Sequence, residues 1–428
     1  MNKRILSLAL LPALCITAAT AQVTIEQCVA LAMENYPLIQ KYELLERTRQ
    51  TDLSDINKSW LPQISIYGQG TAQNAVPSFP DALSEMLDRT GNDMKGLGKL
   101  QYKAGIDLSQ TIWDGGAAKS RREIARQDNA EQRAALDVQL YAIRERVENI
   151  FFSILLIEEQ IKQTRQTQAL LESNLGKLRA MKANGTAMQS DVDMVEAQSL
   201  TVGQQIIQAG SSAQNYRRLL GLYTGTDMSE EELVKPTPAM PESMTSERPE
   251  LSLFDARIRA NDARLGSIRA SVMPKINFFA QAYYGYPGFD YFKSMMNRDM
   301  SFNALAGVKV AWSINPYYTK KNSEHKLRLA NAGIAADRDT FTFDNSLRIQ
   351  TQDSHIDELR KVIAEDARIA SLRANVRRAA ESQLENGVID TDALLVKITD
   401  ENNARLAASY HEIQLIQSIC QLKYLLNR

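Results

Sequence analysis

"SWLPQISIYGQG" (residues 59–70) changes character at a proline. Before Pro62 the chain is polar and helix-like. After it, Ile64 and Ile66 alternate with Ser65 and Tyr67, the period of a strand with one apolar face. "SVMPKINFFAQAYYG" (residues 271–285) repeats the switch. Pro37 and Pro62 stand 25 residues apart, as do Pro249 and Pro274, and both pairs bracket helix-like sequence.

A helix that hands over to a strand twice at equal spacing indicates internal duplication. In each half the first strand leads through a polar or aromatic loop to a second one, Tyr102–Ile112 and Ala304–Ile314. Trp113-Asp114-Gly115-Gly116 and Trp312 with Asn315-Pro316 follow, residues suited to a helix N-cap, a sharp turn and a first helical position. Then come a long helix, an Asn-Gly turn (Asn184-Gly185, Asn386-Gly387) and a returning helix, about Asp191–Leu220 and Asp392–Leu426. The stretch Gly221–Arg248, with Pro236, Pro238 and Pro241, links the halves. The expected organisation is a leader over 1–21, a first repeat over 22–235 and a second over 236–428.

The first long helix, from Ala117 to just before Asn184, carries a seven-residue seam. Leu136, Leu140, Ile143, Val147, Ile150, Ile154, Ile157, Ile161, Thr164, Gln168, Leu171, Leu175, Leu178 and Lys182 follow in alternating steps of four and three, the pattern of a coiled coil. At 1.5 Å per residue the helix would reach about 100 Å. A second long helix, about Tyr318–Glu385, shows its seam late, at Ile369, Leu372, Val376 and Ala379. One long helix could lie beside a returning and a pre-strand helix stacked end to end.

The N-terminus reads as an export leader: Lys3 and Arg4, an apolar run over Ile5–Ile16, and Ala19-Thr20-Ala21 before Gln22. No later stretch is apolar for the ~18 residues a membrane helix needs. The chain holds 50 Lys plus Arg and 51 Asp plus Glu. Losing Lys3 and Arg4 leaves 48 basic against 51 acidic side chains, a net of −3, which excludes the basic footprint of a nucleic-acid binder. Cys15 lies within the leader. Cys28 and Cys420 remain, as two separate thiols or as a bridge permitted by an oxidising compartment.

All four strands alternate and are long enough to cross a membrane at a tilt. Asp107 and Lys309 fall on the polar side, where a water-filled lumen would accept them. Trp60, Trp113 and Trp312 stand at helix–strand junctions, suited to anchor at a membrane interface; a soluble helix–sheet contact is the alternative. Four strands cannot close a barrel in lipid. Two copies would leave no room for an aqueous channel, so three copies and twelve strands are expected.

This layout resembles the TolC family of outer-membrane efflux proteins, through "NYP" at 35–37 and "RPE" at 248–250, the "LP" before the first strand, "WDGG" at 113–116 and "NGTAMQSDV" at 184–192. The resemblance implies a mixed α and β fold: a homotrimeric twelve-stranded β-barrel, four strands per chain, in the outer membrane, continuous with a long α-helical barrel in the periplasm. It implies a passive exit duct for drugs or small molecules, working with a periplasmic adaptor and an inner-membrane transporter. A duct for type I protein secretion is the alternative. By the same resemblance Asp191, Asp390 and Asp392 are candidates for a tip constriction; Asp191 and Asp392 also read as caps of the returning helices, and the two roles can coexist. The turns Asn184-Gly185 and Asn386-Gly387 would contact the adaptor.

Other classes find little support. His325, His355 and His411 lack a second ligand at metal spacing. "GNDMKGLGKL" (91–100) has Leu97 where a phosphate-binding loop needs lysine. No enzyme activity and no cofactor are expected. A soluble periplasmic coiled-coil adaptor or scaffold would lack the paired alternating strands.

Overall fold

The computed structural model describes residues 22–91 and 96–428. The expected leader, with Lys3, Arg4 and Cys15, lies outside the described residues. The first half contains β1 (Gln22–Val23), α1 (Ile25–Asn35), α2 (Gln40–Lys58), β2 (Gln63–Ala72), α3 (Asp81–Arg89), β3 (Leu100–Trp113), α4 (Ala117–Ala183) and α5 (Gln189–Thr224). The second contains β4 (Glu232–Leu233), α6 (Pro249–Ser271), β5 (Lys275–Tyr286), α7 (Tyr291–Asn297), β6 (Ser301–Ala311), α8 (Asn315–Glu385) and α9 (Thr391–Leu426).

The chain forms two compact units, each drawn from both halves. One comprises Tyr42–Ala135 and Glu250–Thr340. Its centre is an antiparallel four-stranded sheet in the order β2-β3-β5-β6. Each half supplies one hairpin, and β3 pairs with β5 to join them. The register puts Ile66 opposite Ile106 and Ala282, and Ser65 opposite Asp107 and Gln281. Alternation therefore gives one apolar and one polar face. Segments of α2, α4, α6 and α8 accompany the sheet, with the short α3 and α7. Asn129 Nδ2 of α4 donates to the Leu45 carbonyl of α2 at 2.8 Å, and Asn261 Nδ2 of α6 donates to Asn331 Oδ1 of α8 at 3.1 Å.

The turn into α4 explains "WDGG". The Asp114 carboxylate accepts from the Gly116 and Ala118 N–H groups, capping the helix. Gly115 has φ +70°, and a Cβ there would come within 2.6 Å of Met273 Cβ. Only glycine fits both constraints.

The other unit comprises the described residues up to Lys41 with Leu136–Pro249 and Phe341–Arg428. The α4 seam forms its core as expected, with Leu140, Ile143, Val147, Ile154, Leu171 and Leu178 buried. Thr164, an apparent break, is also buried. Leu171, Leu175 and Leu178 pack with Val192, Val195 and Val202 of α5, Ala380 of α8, and Leu394 and Ile398 of α9. Each fully buried leucine contributes roughly 2 kcal/mol. A second cluster joins Ile356 of α8 to Ile419, Leu422 and Leu426 of α9. Tyr141 stacks on Tyr424 with centroids 4.7 Å apart, and its hydroxyl donates to the Tyr424 carbonyl. The Arg248 guanidinium lies 5.0–5.6 Å from the rings of Tyr424, Phe341 and Tyr141, a cation–π arrangement.

The structure differs from the sequence reading in several places. The fourth strand ends at Ala311, so Trp312 and Ile314 lie beyond it. Trp312 instead donates from Nε1 to the Val272 carbonyl at 3.0 Å. The loops between paired strands contain α3 and α7. A parallel two-residue pairing of β1 with β4 ties the start of the described chain to the linker. In late α8 the expected seam residues Ile369, Leu372 and Val376 are 46–54% exposed. That helix buries Ile356, Leu359, Asp366 and Ala380 instead.

Candidate functional site

The polar sheet face carries an ordered set of side chains. Gln281 donates from Nε2 to Asp107 Oδ1 at 2.8 Å and to the Tyr67 hydroxyl at 3.0 Å. Lys103 Nζ lies 5.9 Å from the Tyr67 ring centroid and 5.3 Å from that of Tyr283. Lys309, opposite Asn277, is exposed on the same face. Asp107 aligns with Leu305, four residues from Lys309 and therefore about 13 Å away along the strand. The two charges share a face and do not pair. The opposite face presents Ile64, Ile66, Ile106, Val308 and Val310 to the exterior, with Ile66 81% exposed.

Trp60, Trp113 and Trp312 stand at one end of the sheet, where β2 and β5 begin and β3 and β6 finish. Met273 occupies the fourth junction and is also exposed.

The two Asn-Gly turns share one hydrogen-bond pattern. Gly185 (φ +76°) donates to the Lys182 carbonyl, and Thr186 to Met181, both at 2.9 Å. Gly387 (φ +71°) donates to Leu384 at 3.0 Å, and Val388 to Gln383 at 2.8 Å. These are left-handed helix endings, for which glycine is preferred. Lys177 and Glu385 bridge the turns at 2.8 Å, so the tips of both halves lie together. Met188 and Val388 are exposed beside them.

The carboxylates nearby differ in local role. Asp191, in the first turn of α5, accepts from the Met188 N–H at 2.8 Å. Asp390 is the N-cap of α9 and accepts from the Ala393 N–H at 2.9 Å. Asp392 lies inside α9 and is exposed, so Asp390 holds the capping position that the sequence reading assigned to Asp392.

Two further charged groups join i,i+4 pairs to partners on separate helices or the linker, which sequence spacing does not reveal. The first surrounds a cavity of about 670 Å³ lined by Glu26, Arg144, Glu148, Lys235, Cys420 and Lys423. Arg144 Nε donates to Glu148 Oε1 at 2.7 Å. Burial nevertheless pushes the Glu148 carboxyl above its usual range, with Arg144 opposing the shift. The second centres on buried Glu401, which receives Arg377 and, at 2.6 Å, Arg405; Arg377 also pairs with Glu381 at 2.7 Å. Cys28 and Cys420 are both free and buried, and desolvation raises their thiols to about 11 and about 12. Among the described residues no cluster of His, Cys, Asp or Glu is placed to hold a metal, and no helix is long and apolar enough to cross a membrane.

Residues 29–226 match the family model described as outer membrane efflux protein. Over this stretch, just under half of its length, the chain is similar to that family. Outer membrane efflux proteins are channels, and the similar solved structures are outer-membrane channels with a large helical periplasmic part. The fold of the chain is similar to three crystal structures. The outer membrane protein VceC of Vibrio cholerae has 12% identity, a TM-score of 0.67, and coverage of 94% of this chain and 95% of that one. The CmeC outer membrane channel of Campylobacter jejuni has 13%, 0.66, and 94% and 85%. The MtrE outer membrane channel of Neisseria gonorrhoeae, in its open state, has 14%, 0.66, and 94% and 88%. No curated protein matches in sequence.

Proposed function

We propose that three copies of this chain form a passive exit duct, with twelve strands closing a barrel in the outer membrane. The sheet carries this reading. Its order leaves β2 and β6 each paired on one side among the described residues, and its apolar face is exposed. Unpaired edges are not tolerated in lipid, and cyclic repetition closes them. The exposed seam of late α8 supports the same reading, since a neighbouring copy would cover it.

Asp107 and Lys309 then line the lumen, and Trp60, Trp113 and Trp312 anchor at the membrane interface. The paired tips, with Asn184, Gly185, Asn386 and Gly387 and the apolar Met188 and Val388, receive a periplasmic adaptor. Asp191, Asp390 and Asp392, repeated threefold, attract cations at the entrance. The chain performs no catalysis and takes its energy from an inner-membrane transporter that exports drugs or small molecules.

Light scattering on the detergent-purified protein tests the assembly: three chains per particle are expected, and a monomer soluble in plain buffer refutes it. Removing the gene should raise drug susceptibility; loss of a secreted protein with susceptibility unchanged would favour type I secretion. Single-channel recording of Asp390→Asn/Asp392→Asn should show reduced cation selectivity, and unchanged selectivity removes the acidic-ring role.

A further inference from the structure

The segment between β5 and β6 turns back onto the polar face of its own sheet. Tyr283 and Asn303 lie opposite one another on that face, in line with Tyr67 and Gly105. Phe289 packs edge-on against Tyr283, with centroids 5.4 Å apart at 84°. The Tyr283 hydroxyl donates to the Pro287 carbonyl at 3.2 Å. The Phe289 N–H donates to Asn303 Oδ1 at 2.7 Å. Asn303, itself 8% exposed, donates back to the Ser301 carbonyl at 2.9 Å. Thus a buried polar side chain satisfies the inward-turned backbone, as burial demands.

Gly288 permits the close approach: a Cβ there would stand 2.1 Å from Ser301 Oγ. The Gly288 N–H is itself satisfied by Ser294 Oγ at 3.1 Å. The loop of the first hairpin contacts the segment through Arg298 Nε to the Gly96 carbonyl at 3.3 Å and Phe79 beside Phe292 at 6.1 Å. The segment leaves Tyr283 only 6% exposed, while Phe289 remains 46% exposed. Towards the tryptophan end, Ser65, Ser109 and Lys309 of the same face stay open.

We infer that residues 287–300 form an inturned collar, and that Phe289 sets the size of solute leaving the duct. The inference rests on the barrel reading above. Each copy supplies one collar at the end of the sheet away from the tryptophans, so threefold repetition narrows the mouth with three aromatic rings.

The test uses Ser109→Cys in the full chain, because Ser109 is exposed on the polar face beyond the collar. The native thiols are buried and protonated at neutral pH, so the reporter thiol reacts selectively. Intact cells receive a small membrane-impermeant maleimide or a bulky polyethylene-glycol maleimide from outside. With the collar intact the small reagent should label and the bulky one should not. Replacing 288–299 by a short Gly-Ser turn should abolish this size cut-off. Phe289→Ala, which removes a half-exposed ring without shortening the chain, should also admit the bulky reagent, and it carries the test where the shortened chain fails to assemble. Bulky labelling with the collar intact overturns the proposal. So does exclusion of the bulky reagent that survives Phe289→Ala. If even the small reagent fails to reach Ser109→Cys from outside, although the denatured protein labels, the barrel reading itself falls.

Discussion

Glu401→Gln should loosen the pairing of α8 with α9. The Glu401 side chain is 5% exposed and accepts from two guanidinium groups, those of Arg377 and Arg405. Removing one partner from a buried ion pair typically costs ~3–5 kcal/mol. Two features place this change near the lower end. Arg377, 13% exposed, keeps Glu381 at 2.7 Å, and Arg405, 43% exposed, can return to water. The expected cost is therefore about 3 kcal/mol, or roughly a hundredfold in a local opening equilibrium at ~1.4 kcal/mol per tenfold. Hydrogen exchange on the detergent-solubilised full chain should show amides around 373–405 exchanging faster by that factor. Arg405→Gln, touching the exposed end of the network, should cost less than ~1 kcal/mol. Replacing Arg377, Glu381 and Glu401 together by apolar residues of similar size should restore most of the protection, because the desolvation cost is removed with the charges. Equal effects of Glu401→Gln and Arg405→Gln would refute the argument that burial decides the magnitude.

The remaining predictions concern local groups. Cys28 and Cys420 should resist thiolate-directed reagents in the native protein at pH 8, and a denatured sample should yield two free thiols. Their folded values of about 11 and about 12 lie above the ordinary value of 9.0. The folded state therefore holds more protons across that interval, and stability falls as pH rises above about 9; urea titrations at pH 8 and pH 10 read the decline. Asp390→Ala removes the α9 N-cap and should cost about 1 kcal/mol, whereas Asp392→Ala should cost only a few tenths; denaturant midpoints separate them. Gly387→Ala meets no atom within 4 Å, so its cost comes from positive φ alone, about 1–2 kcal/mol, and Gly387→Asn should recover part of it in the same assay.

Much of this fold was legible because two periodicities are strong. Alternation located all four sheet strands, and steps of three and four located α4 and its buried face. The Asn-Gly turns announced the left-handed endings at Gly185 and Gly387. What escaped depends on distant partners. The β1–β4 pairing spans two residues on each side, too few for a pattern, and is set by a register between Val23 and Leu233. Helix α7 starts from an Asp290 cap inside an aromatic loop, and that loop's direction is fixed by Asn303, across the hairpin. The late α8 seam was visible, but periodicity cannot tell which neighbour covers it, and within one chain it stays exposed. Asp392 looked like a cap because helix boundaries read from sequence drift by a residue or two. The clusters at Glu148 and Glu401 contain i,i+4 pairs, Arg144 with Glu148, Arg377 with Glu381 and Glu401 with Arg405, but the joining of Arg377 to Glu401 across two helices has no local spacing.

The stacking of Tyr141 on Tyr424 has a consequence for biogenesis. The two residues are 283 positions apart, and Leu422 and Leu426 complete the apolar cluster around Ile356. Translation proceeds from the N-terminus, so these contacts cannot form until the α9 segment has emerged. The helical unit must then remain unclosed while the earlier segments are being made. Such long-range closure favours slow, late folding, so the last helix made is the one that locks the unit.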